Sequence, residues 1–388
     1  MNLLVISYKT CWPEPASPSG YATDGGFPFQ MRALSELFDE TRLLIPCAER
    51  GASTGQGHLT GRRLSVVPLS TPRGAGAGRK AAFPFWLLRN LPRLLSEVLR
   101  ADAIHAPIPG DIGTIGMLLA FALRKPLFIR YCGNWTEQNT AAEHFWRWFM
   151  ETFAGGRTVC LATGGAERPP SAKNPAMDWI FATTLTREEL AQCRGIARRA
   201  PGDSPRLVIA CRQEKEKGAG IVIESLAALR GEFPGATLSI VGDGGALAEL
   251  RRRAAELELM DRVFFHGQVD HDRVLALLGE ADLFCFPTRS SEGFPKAVLE
   301  AMACGLPVVT TRVSALPRLI GRECGELVDP ATPETVADAI RRCLRDPARY
   351  RALSDAARAR AAEYSLEAWR DAIGARLRAA WGALRSDA

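Results

Sequence analysis

The 388-residue chain has no C-x-x-C pair among its ten cysteines. Cys11, Cys47, Cys132, Cys160, Cys193, Cys211, Cys285, Cys304, Cys324 and Cys343 are scattered, several inside apolar runs of strand length. That pattern argues against a zinc ribbon or a dithiol redox motif and fits reduced thiols serving as small hydrophobes. No stretch reaches the roughly 18 to 20 apolar residues a bilayer-crossing helix needs; the best, Ile115 to Leu123, stops at Arg124 and Lys125. No cationic lead precedes the first apolar run, so Asn2 to Tyr8 reads as a strand and a cytoplasmic protein is expected. The five histidines show no ligand spacing, and no metal is expected. The first strand is not followed by G-x-G-x-x-G, and Gly74 to Lys80 does not match G-x-x-x-x-G-K-[ST]. Dinucleotide-dependent hydride transfer and Walker-type hydrolysis are therefore disfavoured, and Gly74 to Lys80 is read as a mobile linker.

What is present is an ordinary globular composition, 47% hydrophobic and 24% charged, which excludes a disordered or coiled-coil chain. The net charge of +6 favours anionic partners but lacks the density of a nucleic-acid binder, so no nucleic-acid partner is expected. Strand-length apolar runs alternate with amphipathic helix-length stretches along the whole chain, the pattern of parallel sheets with crossover helices. Between Gly164 and Pro205 the composition shifts to Gly, Pro, Ser and Arg, interrupted by Thr186-x-x-Glu189, which has the spacing of a capping box. An interdomain linker is placed there. The reading is α/β, with one domain over 1–175, a second over 176–365, and a C-terminal helix over 366–388 that crosses back to the first.

The sharpest local signal is Ser291-Glu292-Gly293-Phe294-Pro295-Lys296-Ala297-Val298-Leu299-Glu300, continuing to Gly305-Leu306-Pro307. Pro295 at the start and Gly305 past the end bound a helix of about ten residues. Its N-terminus follows strand Leu283 to Pro287, at the carboxyl edge where ligands of open α/β sheets bind, and its unpaired N–H groups suit an anion. Glu292 and Glu300 at the same end fit acceptors for neutral hydroxyls; the alternative is a carboxylate complementing the helix dipole and a solvated one. At the end of strand Leu207 to Cys211, Arg212 and Lys217 can point into one crevice as a diphosphate would require, or belong to a solvated charged turn. Gly25-Gly26 ahead of a helix permits backbone approach to phosphate or sugar.

The order Arg212-x4-Lys217-Gly218, Gly242-Asp243-Gly244, Phe265-His266-Gly267, Glu292-Gly293-Phe294-Pro295 and Glu300-Ala301-Met302-Ala303-x-Gly305-x-Pro307 resembles the donor half of family 4 retaining glycosyltransferases. The resemblance implies GT-B architecture, two Rossmann-like domains facing across a cleft. It implies that Arg212 and Lys217 grip the diphosphate of a UDP-, GDP- or other nucleotide-sugar donor, and that Glu300 takes the ribose hydroxyls. Glu292, with Gly293, Phe294 and Pro295, would hold the transferred sugar, a hexose or N-acetylhexosamine. Gln268 and Val269 would lie near the nucleobase, and Gly25 and Gly26 near the phosphates. Glycosyl transfer to an acceptor hydroxyl with retention, without a divalent metal or cofactor, is the reaction implied.

Two departures stand out. Cys211 replaces the usual glycine before the arginine. In Ile104 to Gly110 the usual donor-contacting histidine is replaced by Pro107, leaving His105 as a substitute or as a core residue. Arg130, Asn134 and Trp135, just past a strand, are candidate acceptor contacts. The aromatic and arginine stretches Ala82 to Leu95 and His144 to Met150 are read as packing against the sheet with wet arginines. The alternative is that they lie peripherally on the inner face of an anionic membrane beside a lipid-linked acceptor, in place of a glycan or small-molecule one. Competing functions are a nucleotide-sugar epimerase or hydrolase of the same fold and a non-catalytic nucleotide-sugar binding subunit.

Overall fold

The computed structural model describes residues 1–49, 56–72, 74, 76–165, 168–193, 201–290 and 294–386. The chain divides into two compact units, one of Met1–Gly164, Arg168–Thr184 and Leu366–Ala388, the other of Gly165–Glu167 and Leu185–Ser365.

The first unit opens with β1 (Asn2–Ile6), β2 (Trp12–Pro13), β3 (Tyr21–Asp24), α1 (Phe27–Ser35), β4 (Glu40–Pro46), β5 (Gln56–His58) and β6 (Leu64–Leu69). It continues through α2 (Gly76–Arg100), β7 (Ala103–Ile108), α3 (Asp111–Ala122), β8 (Leu127–Tyr131), α4 (Ala141–Phe153), β9 (Thr158–Thr163) and β10 (Met177–Ile180). Seven strands form a parallel sheet in the order β10-β9-β8-β7-β1-β4-β6. The short β2, β3 and β5 make a separate antiparallel sheet. All six residues of β7 and all five of β8 are buried, as a strand covered by helices on both faces requires.

The segment read as a mobile linker contributes instead to α2, which starts at Gly76. Arg79, in its first turn, pairs with Asp111 of α3 at 2.8 Å, and Ala81 and Ala82 favour the helix intrinsically. Pro84 and Pro92 lie inside it, at the cost of the hydrogen bonds their missing N–H groups would have made. Residues 177–180, placed in the second domain by the sequence reading, pair with β9 in the first sheet.

The second unit runs α5 (Arg187–Cys193), β11 (Arg206–Ala210), α6 (Ala219–Ala228), β12 (Thr237–Val241), α7 (Leu247–Glu256), β13 (Val263–Gly267) and α8 (His271–Glu280). There follow β14 (Leu283–Phe286), α9 (Lys296–Ala303), β15 (Val308–Thr311), α10 (Leu316–Ile320), β16 (Gly325–Val328), α11 (Pro333–Leu344) and α12 (Pro347–Ala362). Its six strands pair in parallel in the order β13-β12-β11-β14-β15-β16. This is the Rossmann order, and it reverses direction between β11 and β14, where a crevice opens at the carboxyl ends of the strands. Thr186 and Glu189 form the expected reciprocal cap of α5, Thr186 N donating to Glu189 Oε2 at 2.7 Å and Glu189 N to Thr186 Oγ1 at 3.2 Å.

The last helix, α13 (Leu366–Trp381), packs on α1, β9 and β10 of the first unit. Leu366, Trp369, Ile373 and Leu377 recur at helical spacing and are all buried there.

Candidate active site

At the switch between β11 and β14 lies a cavity of about 620 Å³, into which Arg212, Lys217 and Lys296 all face, beside Phe294 and Pro295. A second chamber of about 400 Å³ adjoins it, bordered by Gly242, Asp243, Gln268, Val269 and Glu300. The two share Ala210, Cys211, Arg212 and Ala297. The structure thus brings together seven of the residues singled out from the sequence, all within one unit.

Local geometry explains the placement. The buried Gln213 donates from Nε2 to the Val241 carbonyl at 2.8 Å and to the Cys211 carbonyl at 3.0 Å, tying the ends of β11 and β12 together. Its neighbour Arg212 is left exposed at the mouth of both chambers. Lys217 closes a short 3-10 turn, Lys215–Lys217, and its Nζ donates to Ser290 Oγ at 2.9 Å. Gly218 follows with φ +86°, and a Cβ there would stand 2.4 Å from the Pro287 carbonyl oxygen. Only glycine lets the β11 loop come this close to the end of β14. Gly242, at φ +110°, meets the Cys211 carbonyl in the same way, with 2.0 Å to a hypothetical Cβ.

Lys296 begins α9 and borders the same chamber as the helix start, whose first-turn N–H groups have no partner within the helix. Glu300, one turn on, is 9% exposed and receives a hydrogen bond of 3.2 Å from His271 Nε2. Cations and helix amides on one side with a carboxylate on the other make an arrangement that can hold a diphosphate and a hydroxyl-bearing sugar together. Glu214 and Glu216 also border the first chamber. Glu292 and Gly293 lie outside the described residues.

Residues 197–360 match the family model described as "Glycosyl transferases group 1". A GDP-mannose-dependent alpha-(1-6)-phosphatidylinositol dimannoside mannosyltransferase of Mycobacterium tuberculosis is 36% identical over 326 residues, 80% of this chain and 81% of that protein. The chain belongs to the group 1 glycosyltransferases. A GDP-mannose-dependent alpha-(1-6)-phosphatidylinositol monomannoside mannosyltransferase of Mycolicibacterium smegmatis is 32% identical over 186 residues, 46% of this chain and 48% of that protein, so that match spans about half of the relative. Anabaena Alr3699/HepE, solved in complex with UDP and glucose, superposes with a TM-score of 0.67 at 19% identity, covering 97% of this chain and 98% of that one. The fold is GT-B, with two Rossmann-like units.

Other residues named from the sequence sit elsewhere in this glycosyltransferase. Gly25, with φ +68°, and Gly26 precede α1 in the first unit. His105 is fully buried on β7, stacked on Phe128 at 4.2 Å with Nδ1 3.0 Å from the Phe128 carbonyl. Burial and the neighbouring Arg130 charge push its imidazole down to about 3. A neutral ring enclosed on all sides touches no ligand, so the expectation of a catalytic His105 is corrected to a core histidine. Asn134 is turned inward on its own loop, its Oδ1 accepting from Thr136 N at 3.1 Å and Thr136 Oγ1 at 2.7 Å.

Arg130 and Trp135 also need correction. Arg130 is 4% exposed, its guanidinium donating to Gln30 Oε1 at 2.8 Å and lying 5.1 Å over the Trp369 ring. Trp135 is 3% exposed, donating from Nε1 to the Pro170 carbonyl at 2.7 Å. Both hold the interior of the first unit and offer no face to an acceptor. Among the described residues no three His, Cys, Asp or Glu side chains cluster as a metal site would need. The Asp270-His271-Asp272 triplet has a D-x-D form, but Asp270 caps α8, accepting from Arg273 N at 2.8 Å.

Sequence reading missed Lys296, Ser290, Gln213 and His271. Lys296 stood inside the quoted motif, and its position one turn before Glu300 was a usable signal. His271 lies 29 residues from its carboxylate partner, and nothing in the sequence joins them.

Proposed function

We propose that this protein is a retaining glycosyltransferase that moves a mannosyl group from GDP-mannose to an acceptor hydroxyl. The observation that carries the proposal is the convergence of Arg212, Lys217 and Lys296 on one chamber with Glu300 in the next. In this reading the cations and the first turn of α9 bind the diphosphate, and Glu300 accepts hydrogen bonds from the ribose. Gln268 and Val269 flank the base, and Glu292 with Gly293, Phe294 and Pro295 holds the sugar. The choice of donor draws on the mannosyltransferases at 36% and 32% identity. Their names specify an alpha-(1-6) product; since the anomeric bond of GDP-mannose is itself α, such transfer is net retention.

The chemistry asks for charge stabilisation. The bond between the anomeric carbon and the β-phosphate oxygen breaks, the acceptor oxygen bonds to that carbon from the same face, and the acceptor proton passes to the departing phosphate. Negative charge grows on the diphosphate, where Arg212, Lys217 and Lys296 favour it. Calorimetry with GDP-mannose and UDP-glucose, followed by turnover with and without an acceptor glycolipid, tests the reading. Turnover without acceptor would favour an epimerase or hydrolase, and tight binding without turnover a non-catalytic subunit.

A lipid-linked acceptor at a membrane surface is the second part of the proposal. Trp86, Trp146 and Phe149 pack inward, yet Phe85, Leu88 and Trp148 are 76%, 68% and 54% exposed. Arg89 and Arg93 share α2 with the first two. Among the described residues no helix is long and apolar enough to cross a membrane, so the contact proposed is peripheral. Co-sedimentation with anionic but not zwitterionic vesicles, lost in Phe85→Ser with Leu88→Ser, is the expected result.

A further inference from the structure

We infer that His271 is a positioning residue, which fixes the Glu300 carboxylate so that its second oxygen is presented to a ribose hydroxyl of the donor. The inference rests on the donor site proposed above and adds to it a residue outside the family motif. Three features place the imidazole. Gly267, at φ +65°, turns the chain out of β13. Asp270 then caps α8, which makes His271 its first residue. From there Nε2 reaches Glu300 Oε1 at 3.2 Å, across from α8 to α9.

Glu300 itself is 9% exposed, whereas the His271 side chain is 49% exposed. The carboxylate borders the second chamber, with the half-exposed imidazole on its Oε1. Among the described residues no hydrogen bond to the other oxygen, Oε2, accompanies the one from His271, so that oxygen is open to a ligand. A carboxylate anchored at one oxygen loses less rotamer freedom when a hydroxyl binds the other, and binding gains accordingly.

The charge of His271 sets how firm the anchor is. Glu300 on α9 holds the imidazole above its ordinary range, with Glu189 on α5 and Asp272 on α8 acting in the same direction and burial opposing them. Cys193 on α5 also feels the His271 charge. The charged residue of β11, which packs against α8, is Arg206, and it is engaged by Asp282 at 3.1 Å. Protonated, His271 makes a charge-assisted bond to Glu300; neutral, it makes the weaker kind. Donor affinity contributed by His271 is thus fully present at low pH and declines as pH rises through the imidazole's raised titration point.

The test is calorimetry of GDP and UDP binding to the wild type, His271→Gln and His271→Ala between pH 6 and 9. The ratio of variant to wild-type Kd cancels the ligand's own phosphate titration. For the nucleotide that binds more tightly, the expected ratio for His271→Ala is about five- to tenfold at pH 6 and about twofold at pH 9. His271→Gln, which retains a neutral donor, is expected to recover part of the loss and to show the same pH trend. A pH-independent ratio, or wild-type affinity in His271→Ala with the melting temperature unchanged, overturns the inference. Glu300→Ala separates the two levels. If it weakens binding while the His271 variants do not, the positioning role alone fails; if it has no effect, the donor site fails with it.

Discussion

Lys217 and Ser290 join the two sides of the crevice. The ammonium at the end of the β11 loop donates to the hydroxyl in the β14 loop at 2.9 Å, and Ser290 Oγ is also 3.1 Å from Thr288 Oγ1. The ammonium is thereby tied to the β14 loop while it borders the chamber. A diphosphate arriving in the 620 Å³ chamber meets a cation already fixed in direction.

Lys217→Ala is therefore expected to raise the Kd for GDP-mannose or its nucleotide at least tenfold, about 1.4 kcal/mol. Ser290→Ala keeps the charge and loses only its orientation, so its effect should be smaller. Calorimetry on both variants decides the order, and equal affinities in Lys217→Ala and the wild type would remove the lysine from the site.

Gly218→Ala forces a Cβ to within 2.4 Å of the Pro287 carbonyl oxygen at a φ of +86°. The loop or the end of β14 must give, costing about 1–3 kcal/mol and moving Lys217 away from Ser290. A lower denaturation midpoint together with weaker nucleotide binding is the expected pair of results. Loss of stability with intact binding would mean that the loop can shift without disturbing the cation.

His105 gives the first unit a pH-dependent stability term. Its imidazole titrates near 3 when folded and near the ordinary 6.5 when unfolded. The unfolded chain thus binds a proton that the folded chain refuses. The stabilisation is complete above about pH 6.5 and is lost as pH falls towards 3, with a limiting slope of about 1.4 kcal/mol per pH unit. Urea midpoints at pH 7 and pH 5 should fall further for the wild type than for His105→Gln, and identical slopes would contradict the buried neutral histidine.

Much of the second unit was legible in its sequence, because a parallel sheet covered on both faces leaves continuous apolar runs and its helices carry end signals. Strands 206–210 and 283–286 and helix 296–303 lie where the pattern puts them. Arg212 and Lys217 could be placed because strand ends in such sheets converge on one edge. The first unit was harder. Arg130 and His105 look functional as isolated polar residues, and what disarms them, Trp369 over the guanidinium and Phe128 against the imidazole, is supplied by distant or adjacent strands and helices. Strand 177–180 hid in a Gly- and Pro-rich stretch because a four-residue edge strand has little room for periodicity. The start of α2 hid because glycines at 74, 76 and 78 mask a helix that is held by an ion pair to α3.

Trp369 is the largest fully buried side chain of the described residues, and it sits on α13, which the chain reaches only after completing the second unit. Its ring carries the Arg130 guanidinium at 5.1 Å, and Arg130 in turn reaches Gln30 on α1. Trp369→Ala would open a cavity and strand a buried cation without its aromatic partner, so a loss of about 3–5 kcal/mol is expected. Trp369→Phe retains a ring face and most of the volume, and should lose well under half as much. Denaturant titration followed by a first-unit signal separates them. A loss below about 1 kcal/mol in Trp369→Ala would mean that α13 is dispensable to the sheet it covers, and that Arg130 is held by Gln30 alone.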